Sequence, residues 1–143
     1  MKPEFMLEAV NIAKTSGIDV PIGAVIVKNG EIIASAVNQR ETNKSAIGHA
    51  EIIAIEKTCK KLNSWRLNDC EIYVTLEPCP MCASAILQAR IPQIYFGAYD
   101  YINGAFGSKC DMRQIMGISA EVKGGILEQD CATLLKEYFK ELR

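Results

Sequence analysis

Apolar residues recur at Met6, Val10 and Ala13, with Leu7 beside them, at the spacing of one helix face. The run lies between Pro3, which suits a first helical turn, and Gly17, which suits a C-terminal cap, so it predicts a helix opening after Pro3 and stopping at Gly17. In "AVIVKNGEIIASAV" two β-branched runs flank Asn29-Gly30, the strongest short-range signal for a two-residue hairpin. A second long helix is predicted from near His49 to about Leu62, with Ile53 and its neighbours turned inward and Glu56, Lys57, Lys60 and Lys61 forming the wet face. "EIYVTL" (Glu71 to Leu76) reads as a buried strand, and "CASAILQAR" returns to small helix-forming residues, so Cys79 falls near a strand-to-helix turn. "QIYFGA" predicts another strand and "AEVKGG" a shorter one. Leu127, Cys131, Leu134, Leu135, Tyr138, Phe139 and Leu142 predict a closing amphipathic helix. Strands alternating with helices favour an α/β fold arranged as a three-layer α-β-α sandwich.

A chain of 143 residues with 49% hydrophobic composition can bury a core without staples, so residues 1–143 are expected to form one domain. A net charge of -1 removes any general basic attraction to nucleic acid, and RNA contacts would have to be local. The first residues, "MKPEFMLEAVNIAKTSG", mix Glu4, Glu8 and Lys14 into the apolar pattern and offer no signal-peptide core. The longest apolar stretch, near Val20 to Val27, is too short to cross a bilayer. A cytoplasmic protein without membrane contact is therefore expected, and its six cysteines are expected to be thiols or metal ligands rather than disulfides.

In "EPCPMC", Cys79 and Cys82 stand three positions apart, so at a helix start both can project to one side and share a metal. The spacing equally suits a redox pair at a helix N-terminus, or part of a structural zinc site, which would need four protein ligands. Cys59, Cys70, Cys110 and Cys131 show no second close pair; Cys59 and Cys131 read as small hydrophobes on helical patterns. His49, the single histidine, opens a helix. Two helices on one sheet face with adjacent N-termini would bring it to Cys79 and Cys82 and leave one coordination position open, the mark of a catalytic zinc. Glu51 lies two residues on, a spacing that diverges by roughly 200° in a regular helix. Glu51 can therefore meet His49 only if His49 sits at the helix boundary, and from there a carboxylate could move protons.

His49-x-Glu51 followed by Pro78-Cys79-x-x-Cys82 resembles the signature of the zinc-dependent nucleoside and nucleobase deaminases. "DVPIGAVIV", "VNQRET", "SWRLNDCEIYVTLEPC" and "GGILEQDCATLLKEYFKELR" extend the likeness over nearly the whole chain to the bacterial tRNA-specific adenosine deaminases. The resemblance implies a cytidine deaminase-like fold with a central mixed five-stranded sheet. It also implies conversion of the wobble adenosine (position 34) of tRNA to inosine, by a homodimer with one zinc ion per subunit. His49, Cys79 and Cys82 would bind the metal and Glu51 would shuttle protons while hydroxide attacks C6 of adenine. Asn38 would hydrogen-bond the flipped base, Ile22 and Ala24 would line the purine pocket, and Asp100 would lie near the nucleotide sugars. The partner it implies is an anticodon stem-loop, with arginine tRNA the expected source. The apolar residues of "CASAIL" could face a second subunit.

Ala46-Ile47-Gly48 stands where the family commonly has Pro-Thr-Ala, Ile102 where it often has lysine, and the stretch from Asp111 to Val122 is shorter than usual. Arg40, Lys44, Lys109, Arg113, Lys136, Lys140 and Arg143 could still meet phosphates, although scattered cations are usually only solvated surface. A free guanine- or cytosine-type base or nucleoside is the competing substrate, with the same zinc chemistry. A non-catalytic zinc-binding subunit is a third possibility, and Glu51 counts against it.

Overall fold

The computed structural model describes residues 1–142; Arg143 lies outside the described residues. Helix α1 (Pro3–Ala13) starts at Pro3 as predicted but ends before Gly17. The Thr15 Oγ1 donates to the Ile12 carbonyl at 2.7 Å, and the Thr15 and Ser16 amides turn back to Ile12 and Ala13. The terminal carbonyls are thus partnered early, and Gly17 falls in the turn beyond.

Strands β1 (Gly23–Lys28) and β2 (Glu31–Val37) form the expected hairpin. Lys28 pairs with Glu31, and Asn29 and Gly30 both take positive φ (53° and 75°), as a type I′ turn requires. The chain continues through α2 (Arg40–Asn43), α3 (Ala50–Leu62), β3 (Cys70–Leu76), α4 (Pro80–Gln88), β4 (Gln93–Ala98), α5 (Met112–Met116), β5 (Glu121–Lys123) and α6 (Glu128–Glu141). The short helices α2 and α5 were not foreseen, because neither is long enough to show an apolar period.

The sheet is mixed, in the order β2-β1-β3-β4-β5. Because β2 and β3 both run antiparallel to β1, and β4 runs parallel to β3, the carboxyl ends of β2, β3 and β4 share one edge. One face packs under α3 and α4 through Ala50, Ala54, Ala83, Ile86 and Leu87. The other packs under α1 and α6 around Met6, Val10, Tyr73, Tyr95 and Cys131. These are the three layers that the alternating pattern predicted.

One detail differs from expectation. The stripe of α6 is buried only at its start: Cys131, with Leu127, Ala132 and Leu134 against it, fills the sheet face, whereas Phe139 and Leu142 are exposed. In α4, Cys82, Ala83, Ile86 and Leu87 are buried in the protein's own core, while Met81, Ser84 and Ala85 stay half-buried on the other side of the helix. No described helix is long and apolar enough to cross a membrane.

Candidate metal centre and adjoining cavity

The shared edge of strand ends is where the chemistry collects. His49 is the N-cap of α3, with extended backbone (φ -80°, ψ 148°), and Glu51 lies in the first helical turn. The helix-boundary placement that their convergence demanded is therefore met. Cys79 is the N-cap of α4, also extended (φ -72°, ψ 172°), because the following Pro80 disfavours helical backbone at the residue before it. Cys82 then falls in the first turn of α4, buried on the sheet side.

Metal-ligating atoms of His49, Cys79 and Cys82 lie within 4.8 Å of one another. His49 Nδ1 is 3.7 Å from Cys79 Sγ and 3.4 Å from Cys82 Sγ. A tetrahedral zinc with ordinary bond lengths separates nitrogen and sulfur ligands by about 3.5 Å. The donor set and its spacing fit a zinc ion, and three protein ligands leave a fourth position for water or substrate.

The thiols divide the protons between them. The hydrogen bond from Cys82, with a further one from His49, pulls Cys79 down to about 4 against the opposing effect of burial. Cys82, as donor to Cys79 and a buried group, is pushed well above the ordinary thiol range. His49 is raised by its hydrogen bond to Cys79 and by the charge of Glu51. Burial pushes Glu51 up to about 7. At 4% exposure its carboxyl is buried against the metal ligands rather than dressing the helix surface.

Beside the three-ligand cluster opens a cavity of about 300 Å³, lined by His49, Glu51, Cys79, Ile22, Asn38 and Asp100 among others. Of the candidate site residues, Cys82 and Ala24 do not line it: Cys82 is fully buried in α4, and Ala24 is fully buried within β1, paired with Ala36 and Val74. Asn38 is buried and its Oδ1 accepts the amide of Ala50 at 3.1 Å, so it also caps α3. Asp100 uses Oδ1 to accept the amides of Ile102 (3.1 Å) and Asn103 (3.0 Å), closing the turn after β4. Val20, Arg40, Leu76, Glu77 and Asn103 complete the wall. Among the described residues, Arg40 alone of the scattered cations reaches this cavity, while Arg113 is paired with Asp111 at 2.7 Å. Glu77, the first residue of "EPCPMC", is 2% exposed; its place between a buried strand and Pro78 is the one sequence signal of this.

Residues 1–98 match the family model for the cytidine and deoxycytidylate deaminase zinc-binding region. A tRNA-specific adenosine deaminase from Bacillus subtilis is 46% identical over 97% of this chain and 89% of its own length. The protein of that name from Rickettsia felis is 44% identical over 87% of this chain and 90% of its own. Among solved structures, one from studies of A-to-I editing by tRNA:A34 deaminases superposes with a TM-score of 0.86 at 37% identity, covering 94% of this chain and 100% of the other. A guanine deaminase from Bacillus subtilis gives 0.66 at 44% identity over 69% of this chain and 66% of its own.

Proposed function

The chain belongs to the cytidine and deoxycytidylate deaminase family, and from that premise we propose that it hydrolyses adenosine to inosine at the wobble position, position 34, of tRNA. The observation that carries the chemistry is the metal-fitting triangle of His49, Cys79 and Cys82 with the buried carboxyl of Glu51 at its side. The relatives named for tRNA carry the substrate. Residues 1–143 act as one zinc-dependent deaminase domain, with one zinc ion per chain held by His49, Cys79 and Cys82.

When bound, zinc supplies a water acidic enough to serve as nucleophile near neutral pH. Glu51 would carry two protons in turn on its carboxylate from the attacking oxygen, one to the ring nitrogen and the other to the exocyclic amino group, which leaves as ammonia. Its position on the first turn of α3 allows this without making it a ligand. Asn38, fixed through Oδ1 to the amide of Ala50, keeps its Nδ2 to donate to the base. Ile22 packs the apolar side and Asp100 the sugar side. A cavity of about 300 Å³ admits one flipped nucleotide's base rather than a helical stem.

The finer assignments are an arginine tRNA as source of the stem-loop, a cytoplasmic location and a homodimer. For the dimer the support is the family resemblance.

A free base is the second substrate class. Its support is the guanine deaminase likeness together with Ile102, 75% exposed where the family often carries lysine. The deciding experiment measures inosine in an arginine anticodon stem-loop carrying wobble adenosine, beside free adenosine, guanine, cytosine and cytidine. Inosine in the stem-loop alone is expected. Turnover of guanine with inert RNA would overturn the substrate and keep the zinc chemistry.

A further inference from the structure

We propose that Glu77 is a positioning residue for substrate, holding the segment 99–108 as the cavity wall that carries Asp100 and Asn103. This rests on the cavity being the adenosine site. Glu77 directly follows β3, and its own amide donates to the Ala98 carbonyl at 2.9 Å, extending the β3–β4 pairing to the residue before Pro78-Cys79. Its side chain turns the other way in function: it accepts from four donors of one loop. Oε1 takes the Asp100 amide at 3.1 Å and the Ser108 hydroxyl; Oε2 takes the amides of Phe106 and Ser108, each at 3.1 Å.

No arginine or lysine is hydrogen-bonded to or ion-paired with this buried carboxyl among the described residues, so the loop's donors are what satisfy it. The fit is tight. A Cβ on Gly104 would stand 2.4 Å from Glu77 Cδ and 2.3 Å from the Asp100 carbonyl, so only glycine lets the loop close over the carboxyl. The Ala105 amide adds a 2.9 Å bond to the Pro78 carbonyl, one residue from the candidate ligand Cys79. One acidic side chain therefore ties the turn that carries the candidate ligand Cys79 to the part of the cavity wall made by Asp100 and Asn103.

That wall meets substrate equally in the ground and transition states, so loosening it should raise KM more than it lowers kcat. Glu77→Gln keeps the shape but replaces one accepting oxygen by an amide NH2, a donor set against donors. The expected result is a rise of roughly tenfold in KM for the stem-loop, with kcat within about threefold and zinc content unchanged. Hydrogen exchange, read on the same protein, should quicken at the amides of Asp100, Phe106 and Ser108 and stay unchanged in β3 and β4. Ser108→Ala, which removes one of the four donors, should move KM the same way by a smaller factor.

A parent-like KM with undisturbed exchange overturns the proposal, and so does a loss of zinc or kcat at constant KM. Should Glu77→Gln fail to fold, Ser108→Ala decides, and its parent-like KM overturns the proposal. If the parent enzyme itself leaves the stem-loop inert, the substrate reading has failed; exchange at the three amides still decides the loop, and retained protection in Glu77→Gln overturns it.

Discussion

The side-chain Oδ1 of Asn38 accepts the backbone amide of Ala50 at 3.1 Å, so the residue that leaves β2 also caps the helix presenting Glu51. His49 offers that helix no side-chain cap of its own. Asn38 thereby has a structural duty besides any contact with a base. Asn38→Ala is expected to lose about 1–2 kcal/mol of stability, the usual cost of removing a cap together with leaving a buried amide unpartnered. Urea unfolding of the parent and variant checks it; equal midpoints would mean that the residue serves only substrate.

Glu51→Gln is expected to retain zinc and lose about two to four orders of magnitude in kcat, because the amide cannot accept and return protons. Single-turnover inosine formation with metal analysis on the same sample tests this. Activity within roughly tenfold of the parent would remove Glu51 from the proton path.

Cys82→Ala removes one of the three proposed ligands from a cluster that holds no fourth His, Cys, Asp or Glu donor among the described residues. Zinc content is expected to fall from about one per chain to a small fraction, and activity with it. Prolonged chelation of the parent should abolish turnover, and zinc should restore it. Full metal retention in Cys82→Ala would mean that the ligands lie elsewhere.

Much of this architecture was legible because its causes are local. Asn29-Gly30 has the residues a type I′ turn needs, "QIYFGA" is β4 residue for residue, and Pro80 forces Cys79 out of the helix that Cys82 enters. The metal triangle could be read as far as spacing and helix starts allow, and one sheet edge then completes it. What escaped depends on partners far along the chain. Glu77 draws its meaning from donors 23 to 31 residues away. The short α2 owes its N-terminal satisfaction to a side chain more than twenty residues before it. Ala24, close in sequence to Ile22, turns into the core, since its strand is covered on both faces.

That distant side chain is Asp19, and it gives the last prediction its sign. The buried Asp19 carboxylate accepts the Glu41 amide at 2.8 Å, the Thr42 amide at 3.1 Å and the Thr42 hydroxyl at 2.6 Å, holding α2 beside the cavity wall to which Arg40 belongs. Burial works to raise its pKa, but the Thr42 hydroxyl and the two amides outweigh it, so the group lies below its ordinary 3.8. A depressed carboxylate contributes stability that is fully present above 3.8 and disappears as the pH falls through the lower folded value. Parent protein should therefore lose stability across that acid range more steeply than Asp19→Asn, whose side chain does not titrate. Urea midpoints collected from about pH 6 down to about pH 3 test this. Zinc release in acid is common to both proteins, so the difference between the two curves isolates Asp19. Parallel curves would show that the carboxylate has the same proton affinity folded and unfolded, and that α2 is held by other contacts.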